Sequence, residues 1–142
     1  MQLTTKVELT GNIFKGVAPQ ILNQIVNDGI RELVQLGETY LMNNLKTGGL
    51  YLGTELVGGG RKQTSTGNYR RNISTSVSNL HGKIDDGGVV YGPWLEGISS
   101  RNYPSTKFKG YSAFRKASQK MEKGKHSIFR KQLDRYVRKM NA

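Results

Sequence analysis

The longest periodic run in the chain sets its largest element. Leu22, Ile25, Val26, Ile30, Leu33, Val34, Tyr40 and Leu41 recur three and four residues apart, the spacing that lines one face of an α-helix. Pro19 stands where a first helical turn needs no backbone N–H. The spacing predicts a helix over Pro19 to Leu45, about 40 Å long at 1.5 Å per residue. An apolar stripe of that length has to be covered by other elements. Gly29 and Gly37 fall near one face of it, each costing about 1 kcal/mol against Ala. They are either tolerated or they admit another backbone closely.

A second helix closes the chain. It starts near Tyr111, with Tyr111, Phe114, Ala117 and Met121 on its inner face. Gly124 is a candidate break. Phe129, Leu133, Val137 and Met140 then resume the apolar period. Between the helices the pattern changes from a period near 3.6 to one of 2. Ile73, Thr75 and Val77 alternate with serines, and Asn79-Leu80-His81-Gly82 and Asp85-Asp86-Gly87-Gly88 carry turn chemistry. Arg71–Ser78, Lys83–Asp85 and Val89–Tyr91 are expected to form a small antiparallel meander. Lys6–Thr10 is expected as a short strand before the first helix, and Ser99–Lys109 as polar loop. The fold class is α+β, a single domain over 1–142: two helices packed on a small antiparallel sheet.

Lys46 to Asn68 interrupts this plan. It holds seven glycines, with Tyr51, Leu52, Leu56 and Val57 in two short apolar patches and Arg61-Lys62 beside them. Loops this long in a compact domain are functional or disordered. The stretch 46–68 is expected to be a projecting flexible arm or hairpin that orders against a neighbouring subunit, with Tyr51, Leu52, Leu56 and Val57 as contacts.

The apolar fraction is 35% and there are 18 glycines among 142 residues. Such a chain gains stability by association. It has no cysteine, hence no disulfide frame and no thiolate metal site. No apolar run reaches bilayer-spanning length, and no membrane partner is expected. Met1 to Lys6 lacks the basic-then-apolar order of a signal peptide, so the product is expected in the cytoplasm of the cell that makes it. The net charge of +12 is unevenly held: residues 107–142 carry twelve of the 22 bases and two of the ten acids. A basic block of this kind favours a polyanion or an acidic neighbour. Arg61, Lys62, Arg130, Lys131, Arg135 and Arg138 are the candidate DNA-facing residues, through sequence-independent phosphate contact. A solvated helix face is the plainer alternative for this 107–142 block.

Catalytic chemistry has no sequence support. His81 and His126 have no partner at ligand spacing, so no metal is expected. Gly58-Gly59-Gly60-Arg61-Lys62 lacks the Gly-Lys-Ser/Thr order of a nucleotide loop. Asp85 and Asp86 are adjacent, so their side chains diverge and a turn role is favoured over acid–base work. The chain is expected not to be an enzyme and to use no cofactor.

One stretch remains, Tyr91-Gly92-Pro93-Trp94-Leu95-Glu96-Gly97, with the only tryptophan of the chain. Val89-Val90 leads into it, and Pro93 cannot continue a strand ladder. Trp94 is core filler or an interface anchor. Glu96 binds backbone amides or pairs with a base on a neighbouring subunit. Upstream lies Thr66-Gly67-Asn68-Tyr69-Arg70-Arg71-Asn72-Ile73, and downstream Phe114 to Ala117 in a Phe-x-x-Ala helix start. In this order and spacing, over roughly residues 66 to 117, the chain resembles the tail-completion (neck) proteins of long-tailed bacteriophages. It departs from their pattern in having Gly97 directly after Glu96 and then Ile98. The resemblance implies a structural virion protein that forms a six-fold ring at the head–tail joint. Its partners would be copies of itself, head connector or adaptor proteins, and tail tube or tail terminator proteins. Tyr91, Pro93, Trp94 and Glu96 would lie at an interface, and the basic surfaces would face DNA in the channel or an acidic partner ring. The protein would reside in the virion neck or tail, and in host cytoplasm during assembly. The alternative function is a small basic oligomeric nucleic-acid-binding protein.

Overall fold

The computed structural model describes residues 1–7, 19–47, 54–57, 61–64, 67–99 and 110–141. Its elements in chain order are β1 (Gln2–Lys6), α1 (Pro19–Thr47), β2 (Thr54–Val57), β3 (Arg61–Thr64), α2 (Asn68–Asn72), β4 (Ser74–Ser78), β5 (His81–Asp85), α3 (Gly92–Glu96) and α4 (Ala113–Met140). The architecture is α+β: two long helices on a three-stranded antiparallel sheet of order β1-β5-β4.

Helix α1 forms where its apolar period lies, from Pro19, and buries Ile25, Val26, Ile30, Leu33, Val34, Leu41 and Leu45. It runs antiparallel to α4. Asp28 accepts a hydrogen bond from the Tyr136 hydroxyl at 2.8 Å, and Glu32 accepts from Lys131 at 2.8 Å and Gln132 at 2.6 Å. Gly29 and Gly37 do admit close neighbours, but these are side chains of α4 and β5 rather than another backbone. A Cβ on Gly29 would overlap the Phe129 ring, and one on Gly37 would overlap Met121 and the Ile84 Cδ1.

Helix α4 differs from the expected one in two respects. It passes through Gly124 without a break, because Leu36 Cδ2 lies 2.9 Å from where a Cβ would stand. The lack of a side chain at this position serves packing rather than termination. The buried face also follows Phe114, Ala117, Met121, Ile128 and Gln132, leaving Leu133 and Val137 exposed.

The sheet has three strands, as expected, with a different third member. Central β5 pairs with β4 on one side, Ile84 opposite Thr75, and with β1 on the other, Ile84 opposite Leu3. Gly82 lies between Thr5 and Val77 in the next row, beneath Val34 and Ile30 of α1. The first strand is thus Gln2–Lys6 rather than Lys6–Thr10. Leu3, Thr5 and Val7 keep one phase, with Leu3 and Thr5 less exposed than their neighbours, so the inward alternation begins earlier than the Val7-Leu9 pair suggested. Residues 8–10 lie outside the described ones.

Val89–Tyr91 is not a strand. Asp85 Oδ1 accepts from the Gly87 N–H at 2.7 Å and Asp86 Oδ1 from the Gly88 N–H at 3.1 Å. These Asx-type turns steer the chain off the sheet, and β1 takes the expected place beside β5. Arg71 likewise falls in a helical turn, α2, and β4 begins only at Ser74. Strands β2 and β3 pair as a hairpin, Thr54 opposite Thr64 and Val57 opposite Arg61. Among the described residues no helix is long and apolar enough to cross a membrane.

Candidate functional site

The corner around α3 is built from parts far apart in sequence. Pro93 sits in the first turn of α3, where its missing N–H is harmless; it starts a helix rather than ending a strand. Gly97, at φ 92°, closes the turn, with its N–H donating to the Pro93 carbonyl at 3.0 Å. The chain returns at Gly110, φ 85°, whose Cα hydrogens face the Gly97 backbone so closely that a Cβ would collide with it. The Tyr111 N–H then donates to the Leu95 carbonyl at 2.7 Å.

Glu96 locks this return. It is buried, and its carboxylate accepts the N–H groups of Phe114 at 3.0 Å and Arg115 at 2.9 Å. These are orphan donors of the first turn of α4, where a negative charge also meets the positive end of the helix dipole. The cap comes from another element because Ser112, at the cap position, adopts the left-handed φ of 54° and makes no side-chain cap bond. Its hydroxyl instead accepts from Arg115 Nη2 at 2.6 Å. Glu96 thus binds backbone amides within the chain.

A second buried carboxylate stands behind the corner. Asp86 pairs with the α-amine of Met1 at 2.7 Å and faces the Tyr69 hydroxyl at 3.4 Å. The Tyr69 and Tyr91 rings are 6.1 Å apart and tilted by 47°, a separation typical of favourable aromatic pairs. Asn68 donates to the Tyr91 hydroxyl at 3.0 Å. The stretches around Asn68-Tyr69, Tyr91–Gly97 and Phe114-Arg115 therefore meet in one place.

The outer surface of the corner is apolar. Val90 is 96% exposed, Ile98 64% and Tyr91 41%. Val90, Tyr91, Trp94 and Ser99 surround an open hollow of about 480 Å³. Trp94 is half-buried, packed on the core on one side and lining this hollow on the other. Pro93 is half-buried as well. The sequence places Val90 in an expected strand and gives Ile98 no role, so neither is marked there as an exposed apolar residue.

The basic residues of α4 divide by geometry. Lys131 is held by Glu32, and the Arg135 and Lys139 cations lie 6.0 and 5.4 Å from the Tyr136 ring centre. Lys125 pairs with Glu122. Lys116, Lys120, Lys123, Arg130 and Arg138 make no ion pair with another described residue. At 100° per residue they fall within about 80° of one another, a stripe about 33 Å long that also includes Asp134. Arg130 and Arg138 were expected as outward cations, whereas Lys116, Lys120 and Lys123 were missed; projecting the sequence on a helical wheel would have found them. Of the arm residues, Tyr51 and Leu52 lie outside the described residues. Leu56 and Val57 fall in β2 and Arg61 and Lys62 in β3, with side chains outside the described ones.

The hydrogen bond from Lys131 holds Glu32 below the ordinary carboxylate range, and that from Lys83 does the same for Asp85, assisted by the Gly87 N–H. The hydrogen bond to Asp28 pushes the Tyr136 phenol above its usual value. Among the described residues no group of three His, Cys, Asp or Glu side chains is placed to hold a metal ion.

Fold and corner together define an α+β domain of two long helices on a three-stranded sheet, with an apolar corner locked by Glu96 and a basic helix. Comparison with protein-family models, curated proteins and solved structures finds no match.

Proposed function

We propose that this chain is a structural protein of the phage head–tail joint, a ring-forming neck component that links the head connector to the tail tube. The observation that supports this reading most is the convergence at the α3 corner. The three sequence stretches that carry the resemblance to tail-completion proteins meet there through Tyr69–Tyr91 and Glu96–Phe114. A rigid corner with a bare Val90 suits a lasting contact between proteins, because a fixed apolar projection loses little entropy on docking. The test is electron microscopy of the purified protein mixed with isolated tail tubes. The reading expects ring-shaped density capping one end of the tube, and tubes left bare would refute it.

A second reading, a nucleic-acid-binding oligomer, is favoured by the stripe from Lys116 to Arg138, whose five bases have no ion-pair partner among the described residues. Such a stripe gains affinity for phosphates by counterion release. Tight duplex binding by a monomer or dimer would select this reading; weak, sequence-blind binding by a closed ring would select the first.

A further inference from the structure

The chain carries two separate apolar features, one projecting and one hollow. The projection is Val90, set between the Gly87-Gly88 turn and α3, with Tyr91 and Trp94 beside it. The hollow lies between the start of α1 and the second half of α4. Leu22, Ile25, Val26, Phe129 and Leu133 line it, His126 and Arg130 stand at its rim, and it encloses about 390 Å³. Its outer wall continues along α4 from Leu133 to Val137, both about 40% exposed. These residues lie between the core face and the basic stripe of the helix.

We propose that the Val90 projection of one copy seats in the α1–α4 groove of the next, so that copies of this chain join head to tail. The inference rests on the ring-forming reading above. Charge limits the possible occupants of the groove. Helix α4 holds ten bases and two acids. Two copies placed groove to groove would oppose two such helices, an arrangement that like-charge repulsion disfavours. From Gly87 to Ser99 the only charged side chain is Glu96, and it is buried against the α4 amides. The Gly87–Ser99 stretch thus brings apolar surface to a basic rim without adding exposed charge of its own.

Position determines the geometry of the assembly. The corner that carries the projection is tied to the start of α4 through Glu96, and the groove centres near Phe129, about 24 Å along the helix from Ala113. A contact between two different patches on one chain is heterologous. It generates a closed ring or an open filament, whereas a two-fold dimer needs one patch to meet itself. Both patches remain available on the end copies until the ring closes.

The absence of cysteine permits a direct test. Val90→Cys and Leu133→Cys variants are prepared separately, mixed and oxidised. The expected product is a covalent dimer in the mixture and none in either variant alone, and the double variant should give a ladder ending in one closed species. His126→Cys, on the groove rim, replaces Leu133→Cys should the latter impair folding in a thermal melt. Val90→Asp should abolish assembly while leaving the circular dichroism of the subunit unchanged, since Val90 touches little of its own chain; its melt should fall only to that of the dissociated wild type. Self-cross-linking of Leu133→Cys, or a wild-type ring that yields no Val90–Leu133 or Val90–His126 product, overturns the head-to-tail contact and leaves the ring reading standing. A wild-type protein that stays monomeric overturns both.

Discussion

The Glu96 carboxylate receives the backbone N–H of Phe114 at 3.0 Å from eighteen residues away in sequence. One side chain thereby ties the end of α3 to the start of α4 and fixes the surface on which Val90 stands. Replacing it should uncap the helix and leave the buried Phe114 N–H and the part-buried Arg115 N–H without their acceptor. Glu96→Ala is expected to cost roughly 2–3 kcal/mol, with Glu96→Gln less damaging because the amide oxygen still accepts one bond. Urea unfolding measures both, and an unchanged midpoint for Glu96→Ala would remove the cap from the account.

Gly82 lies in a strand, where a side chain ordinarily helps. Here a Cβ would come within 2.6 Å of Val34 Cγ2 and 2.8 Å of Ile30 Cγ2. Both neighbours are β-branched and buried, so neither can turn aside easily. Gly82→Ala should therefore destabilise by about 1–3 kcal/mol through overpacking. A thermal melt showing stabilisation would contradict the close seating of α1 on the sheet.

Phosphate binding, if α4 takes part in it, should follow the unpaired stripe. Lys116→Gln/Lys120→Gln/Lys123→Gln should flatten the salt dependence of duplex binding by up to about 0.9 in log–log slope for each phosphate no longer neutralised. Lys131→Gln should change it less, because Glu32 already engages that ammonium. Equal effects from the two variants, measured by fluorescence anisotropy across a salt series, would show that pairing within the fold does not select the phosphate-binding cations.

The pH dependence follows from the shifted groups. Glu32 and Asp85 have folded-state values below their ordinary ones. Their contribution is present above the usual carboxylate range and is lost as pH falls through the lowered values. Tyr136 is shifted upward from an ordinary value of 10.0, so its contribution holds below that pH and disappears as pH rises past the raised value. Glu32→Gln should soften the acid limb of a stability–pH profile, and Tyr136→Phe the alkaline limb. Side chains this accessible give small effects in salt, so an unaltered profile at low ionic strength is the contrary result.

Much of the fold was legible because periodicity reports burial directly. The α1 stripe, the α4 start and the Ser74–Ser78 strand all follow from it. What was not legible depends on contacts distant in sequence. The β1 strand gains its place only by pairing with β5, some eighty residues later, and this displaced Val89–Tyr91 from the sheet. Gly124 reads as a breaker until Leu36 occupies the space beside it. Leu133 and Val137 share the helical period of buried residues, yet α1 covers the Ile128–Gln132 side instead. At the candidate site, the importance of Tyr91, Trp94 and Glu96 was visible from residue type and order. The identity of Glu96's partners was not, since Phe114 lies eighteen residues further along the chain.

Native mass spectrometry of the purified protein tests the central claim, assembly into a ring, most directly. The account predicts one closed species at a single integer multiple of the 15.8 kDa subunit, converted to subunits by Val90→Asp. A wild-type spectrum containing only the 15.8 kDa monomer across a broad concentration range would contradict it.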